Sequence, residues 1–244
     1  MDAISISAAS GMRARMESLE MLANNLANVE TGGFKADREF FSIYTGDDAS
    51  VDPQTGDIPT VPVVEAHWTD LSQGNLINTA NPLDFAIDGD GLFGIATQAG
   101  TRYTRNGNFR IGPNGILTTT DGSLVRAVGG GSIQLQPELG VEVLPDGTVL
   151  QSGQPVGQLE LSAFDRGSID KMGTNYFVPL GGATARQGTG TVQQGKLEQS
   201  NVGAAESSVR LVAIMRQFEM LQKAMNIGNE LNRKAIEEVA KVTT

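Results

Sequence analysis

Two proline-free ends with helical periodicity enclose a middle made of short runs and glycine-containing turns, and this three-part division limits the possible folds more than any other feature. From about Ala3 to Val29, Met12, Met16, Leu19, Leu22, Leu26 and Val29 recur at steps of 4, 3, 3, 4 and 3, which places one apolar stripe along a helix. Thr31-Gly32-Gly33 then ends it, because glycine accepts the left-handed backbone in which helices commonly stop. From about Val202 to Val242 the pattern returns in Leu211, Ile214, Phe218, Leu221 and Met225, and continues less regularly through Gly228, Asn232, Ala235, Val239 and Val242. Asn201 is the expected N-cap, and Glu206 lies in the first turn, where negative charge suits the helix dipole. At 1.5 Å per residue such helices reach about 40 Å and about 60 Å, longer than a compact domain of this size covers. Each therefore needs a partner.

The middle contains β-prone runs at Val61 to Trp68, Leu83 to Ile87, Gly115 to Thr119, Val141 to Leu144, Val156 to Phe164 and Tyr176 to Leu180. Asn106-Gly107, Asn114-Gly115, Asp121-Gly122 and Asp146-Gly147 supply the turn chemistry of antiparallel hairpins. Thr45 to Pro62, with three prolines, reads as an irregular or extended connection. The expected class is α+β, mainly β: an antiparallel β domain flanked by long N- and C-terminal helices that pair and pack with neighbouring subunits. The expected domains are 1–33 with 200–244 for helical assembly, 34–80 with 181–199 as an extended connecting region, and 81–180 as the central β domain. A helix pair folded back onto the β domain remains the alternative.

Composition removes several function classes. With 28 acidic against 18 basic residues the chain carries −10, which argues against a nucleic-acid footprint. The absence of cysteine removes disulfides, thiolate metal sites and cysteine nucleophiles. Met1-Asp2-Ala3-Ile4-Ser5-Ile6-Ser7 has neither a basic start nor an apolar core, so neither a cleaved signal peptide nor a membrane-spanning helix is expected. That pattern suits a cytoplasmic chain, or one exported by a route that ignores such signals.

Searches for chemistry end on turns. Gly89-Asp90-Gly91-Leu92-Phe93-Gly94 fits G-x-G-x-x-G, but a dinucleotide loop needs a helix opening at its third glycine, and Ile95-Ala96-Thr97 instead leads to Gly100 and another strand-like run. Asp88-Gly89-Asp90-Gly91 has Leu92 in place of an oxygen ligand and no closing Glu, so a tight turn is expected rather than a calcium loop. His67 is the single histidine and lacks the partners of a zinc site or a serine triad. Carboxylates are scattered over turns, and Met12, Met16, Met215, Met220 and Met225 suit helix packing. No catalytic residue, cofactor or metal ligand is expected, nor a small-molecule substrate. A β-rich adhesive or carbohydrate-active protein with an appended helical pair is the competing class.

The block Asn24-Asn25-Leu26-Ala27-Asn28-Val29-Glu30-Thr31-Gly32-Gly33-Phe34-Lys35 resembles the N-terminal signature of bacterial flagellar rod and hook proteins. Three further stretches resemble that family in the same order: Gln73-Gly74-Asn75-Leu76, then Pro82 to Phe93 with Tyr103 to Phe109, and then Gly195 to Val202. Departures are Leu92 and Gly94, where bulkier residues are usual, and Gly203-Ala204 in place of a polar residue and proline. The chain is shorter than the hook proteins, and Arg216-Gln217-Phe218-Glu219-Met220 looks more like the proximal rod members than the distal ones, which come second. The resemblance implies a structural subunit that polymerises helically into the basal-body rod, the shaft that drives the flagellum. It also implies export through the flagellar type III apparatus, a place in the periplasm-spanning rod, and partners among its own copies and other axial proteins. Terminal helices would line the inner tube, with Met12, Met16, Leu19, Leu22, Asn24, Asn25, Leu26, Asn28, Val29, Leu211, Ile214, Phe218, Leu221 and Met225 as assembly residues.

Overall fold

A computed structural model describes residues 3–45 and 60–242. In chain order the elements are α1 (Ala3–Ala27), β1 (Asp37–Thr45), β2 (Thr60–Thr69), β3 (Leu76–Asn78), β4 (Phe85–Asp88), β5 (Leu92–Thr97), β6 (Gly100–Thr104), β7 (Phe109–Ile111), β8 (Leu117–Thr119), β9 (Leu124–Val125), β10 (Val141–Val143), β11 (Thr148–Gln151), β12 (Gln154–Gln158), β13 (Leu161–Ala163), β14 (Ile169–Met172), β15 (Tyr176–Pro179), β16 (Arg186–Gln187), β17 (Thr191–Gln194), β18 (Lys196–Glu198) and α2 (Ala204–Val242). The protein is mainly β, with antiparallel sheets and two helices. It divides into one unit of Met1–Leu26, Asp37–Trp68 and Ala204–Thr244, and a second of Ala27–Ala36 and Thr69–Gly203. In the first unit β1 pairs with β2, which draws part of the expected 34–80 connection into the same unit as the helices.

The second unit is built on a sheet in the order β14-β15-β6-β5-β9-β8-β7, with β13 joining β5 to β16. β10, β11 and β12 form a three-stranded sheet, while β17 pairs β4 and β18 pairs β3, so the last strands of the chain close against the earliest ones of the unit. Alternation along β5 divides two cores. Phe93 and Ile95 enter one cluster with Phe85, Phe109, Leu117, Val125 and Leu159, whereas Leu92 enters another with Tyr103, Phe164, Ile169 and Phe177. Phe93 meets Phe109 edge-on at 5.2 Å between ring centroids, and Tyr103 meets Phe164 at 4.7 Å, geometries that aromatic quadrupoles favour.

Three of the four Asx-Gly pairs lie in links between paired strands: Asn114-Gly115 joins β7 to β8, Asp121-Gly122 joins β8 to β9, and Asp146-Gly147 joins β10 to β11. Asn114 and Gly115 both have positive φ, 67° and 75°, as a turn of this hand requires. Asn106-Gly107 differs, because β6 and β7 do not pair with each other. A Cβ on Gly107 would stand 1.7 Å from the Phe85 carbonyl oxygen, so glycine is present there for close backbone approach. The run Val156 to Phe164 is broken between β12 and β13, since Glu160 bonds the backbone of Gly94 and Arg126 instead of continuing either strand. Residues 46–59 of the expected connection lie outside the described residues, and Pro62 falls within β2.

Candidate assembly interface and buried charge cluster

Within the first unit, α1 buries Ala14, Ser18, Met21, Leu22 and Asn25. At about 100° per residue that face is centred roughly a third of a turn away from the stripe Met12, Met16, Leu19, Leu22, Leu26 and Val29. The difference has a polar cause. Ser18 donates from its hydroxyl to Glu39 of β1 at 2.5 Å, and Arg210 of α2 donates to the other oxygen of the same carboxylate at 2.7 Å. Asn25 donates to the Asp37 carbonyl at 2.8 Å and accepts from the Asp37 amide at 3.0 Å, so its side-chain amide takes the place of a strand partner at the start of β1. Small and polar side chains thus set the face that α1 turns inward. Met16 stays 52% exposed, Met12, Leu19, Leu26 and Val29 are half-buried, and Asn24 is exposed. Asn28 accepts from the Thr31 hydroxyl at 3.2 Å within the second unit.

On α2, Ile214 is buried while Leu211, Phe218, Leu221 and Met225 are half-buried, which follows the stripe read from sequence. A Cβ at Gly11 would lie 3.6 Å from Leu221 Cδ1, so a bare backbone position on α1 accommodates this leucine. The opposite side of α2 is also apolar. Val209, Val212, Met220, Ile227 and Leu231 are between 49% and 72% exposed. Four of them, Val209, Met220, Ile227 and Leu231, lie within about 40° of each other around the helix axis.

The second unit buries a cluster that sequence reasoning did not single out. Glu198 of β18 accepts from Lys35 Nζ at 2.5 Å on one oxygen and from Arg105 Nε at 2.5 Å on the other, with all three side chains at most 4% exposed. Gly74 donates its amide to Glu198 at 2.8 Å, and Lys35 also donates to the Ser72 carbonyl at 2.6 Å. Three of the four remaining guanidinium hydrogens go to the carbonyls of Ile87, Gly89 and Gly91. Two cations share one carboxylate, and backbone carbonyls accept from both of them, so each buried charge is hydrogen-bonded as burial demands. Burial holds the Lys35 ammonium below its ordinary value although Glu198 pulls it up. The signal available in the sequence was a charge beside an apolar or β-prone neighbour in each of three matching blocks, Phe34-Lys35, Thr104-Arg105 and Leu197-Glu198.

This cluster explains the G-x-G-x-x-G stretch. The chain passes from β4 directly into β5, and the loop aims carbonyl oxygens at a cation where a nucleotide loop aims amides at an anion. Asp88, at the head of the calcium-like stretch, accepts from Gln73 and Gln193. Gly94 leaves room for Glu160, whose Cδ would lie 3.1 Å from an added Cβ and which pairs with Arg126 at 2.8 Å. His67 is exposed. Asn201 does not cap α2: its side chain accepts from the Ala36 amide at 2.7 Å and donates to the carbonyls of Asp70 and Ser72. Among the described residues no three acidic or histidine side chains are grouped to hold a metal, and no helix is long and apolar enough to cross a membrane.

Three family models match this chain: "Flagella basal body rod protein" over residues 7–35, "Flagellar hook protein FlgE/F/G D1 domain" over 86–151, and "Flagellar basal body rod FlgEFG protein C-terminal" over 193–238. The flagellar basal-body rod protein FlgF of Caulobacter vibrioides is 34% identical, with 92% of each chain covered. FlgF of Mesorhizobium japonicum is 36% identical over 87% of each chain, and the rod protein FlgG of Bacillus subtilis is 31% identical over 93% of this chain and 95% of its own.

Proposed function

This chain belongs to the flagellar basal-body rod protein family and is a structural subunit of that rod, and from that premise we propose that it polymerises through the outward faces of its two terminal helices. The observation that carries the proposal is the second apolar side of α2, where Val209, Met220, Ile227 and Leu231 remain exposed opposite the inward stripe. Covering one such side chain contributes about 1.5–3 kcal/mol, so a helical tube in which each subunit meets several neighbours gains what a lone molecule leaves in water. On α1, Met16 at 52% exposure, with the half-buried Met12 and Leu19 beside it, supplies the matching surface. The β unit forms the outer layer, and the working partners are further copies and other axial rod and hook proteins.

A proximal position is supported by identities of 34% and 36% to the two FlgF chains against 31% to FlgG of Bacillus subtilis. In this reading the rod spans the periplasm, the subunit reaches it through the flagellar type III apparatus, and no catalysis, metal or cofactor takes part. Ile227→Asp and Val209→Asp test the seam in cells that lack the native subunit. Both variants should be exported and keep the wild-type circular dichroism, yet leave rods incomplete under the electron microscope and cells non-motile. Normal rods from both would show that this side of α2 is not a contact.

A further inference from the structure

The second unit continues in sequence into α1 through residues 27–36 and into α2 through residues 198–203. These two segments are bonded to each other. Gly33 donates to the Glu198 carbonyl at 2.7 Å, Ala36 donates to the Asn201 side chain at 2.7 Å, and Lys35 closes on the Glu198 carboxylate. The same carboxylate then ties both segments inward, through Arg105 to the carbonyls of the β4–β5 loop and through Gly74 to the loop before β3. The backbone leaves no slack at this point. A Cβ on Gly33 would stand 2.4 Å from the Asn106 amide nitrogen, and one on Gly74 would stand 2.1 Å from the Gln199 carbonyl oxygen.

We infer that the Lys35–Glu198–Arg105 cluster is a clasp that makes the two segments leading to the helices open and close as one body with the β core, so that a pull or twist arriving along either helix is shared by both. The reason is electrostatic. Freeing the Glu198 segment strands the Lys35 and Arg105 cations in a dry interior, and freeing the Lys35 segment takes the ammonium from one carboxylate oxygen, so the bonds yield together. Separate neutral bonds of the same number would release one after another. The inference rests on the rod reading only for the origin of the load, because the coupling itself is a property of the isolated chain.

Hydrogen exchange on the full-length protein tests the coupling. In the wild type the amides of Gly33, Ala36 and Gly74 should report one common opening free energy once each rate is divided by its intrinsic value. In Lys35→Met all three should exchange about tenfold faster or more, while Leu117, bonded to Ile133 within the core, keeps its rate. Asn201→Asp, which keeps the acceptor for Ala36 but loses both donors, should act on the same three amides and serves if Lys35→Met does not fold. Acceleration of Gly33 without Gly74, or equal acceleration of Leu117, overturns the clasp. The load arm compares swimming speed in dilute and viscous media. Cells carrying Lys35→Met should swim normally in the first and lose disproportionate speed in the second, and an equal proportional loss overturns the mechanical role. Full motility of cells lacking the chain would instead refute the rod reading and leave the exchange result standing.

Discussion

Lys35, Arg105 and Glu198 show how little a residue's type reveals about its surroundings. The sequence did not single them out, yet each is at most 4% exposed and sits within hydrogen-bond reach of its partner. Linkage makes the Lys35 environment measurable. Its folded pKa lies below the ordinary 10.5, burial being the largest cause, so between the two values the unfolded chain holds more protons than the folded one. Stability should therefore rise with pH across the window that ends near 10.5. Urea denaturation of wild type and Lys35→Met through this window isolates the effect, because every other titrating group is common to both. A steeper rise in the variant than in the wild type would contradict the assigned direction. By contrast, His67 and the Asp88-Gly89-Asp90-Gly91 turn were legible from sequence, since what decides them is the lack of partners at the right spacing.

At the scale of elements, the short strands follow from alternation and turn chemistry, and the helices begin and end within a few residues of their sequence bounds. Besides the Asn201 cap and the continuous run Val156 to Phe164, two features escaped. The inward face of α1 is set by Ser18 and Asn25 bonding β1, and no apolar periodicity carries that information. Gly107 reads as a hairpin glycine but works as a spacer against Phe85, because a dipeptide cannot show which strand lies beside it. Gly107→Ala would force a Cβ onto a carbonyl oxygen at 1.7 Å and must move backbone. A loss of about 2–4 kcal/mol is expected from denaturant titration of the full chain, with Gly140→Ala, where φ is likewise not positive and open space surrounds the Cβ, as the comparison for the substitution without the clash. Equal losses in the two variants would remove the close-approach argument.

For the whole molecule, the decisive quantity besides the apolar faces is the net charge of −10. Subunits that polymerise side by side bring these charges together, and screening governs the rate at which they meet. Raising ionic strength from about 0.01 M to about 0.15 M shortens the Debye length from about 30 Å to about 8 Å. Light scattering of purified protein should then show faster self-association, whereas slowing under salt would mean that attraction between opposite charges, and not the apolar seam, brings the subunits together.

The sequence by itself determined the three-part order, the class of each part and the inward stripe of α2, because all of these depend on periodicity and spacing along the chain. Only the tertiary structure decided which side of α1 turns inward, where the units divide, and that Lys35 and Glu198, 163 residues apart, share one carboxylate bond. Those outcomes depend on which distant groups become neighbours once water is excluded. Local pattern holds no record of that choice, since the energy of a buried charge is set by partners that folding alone brings within about 3 Å.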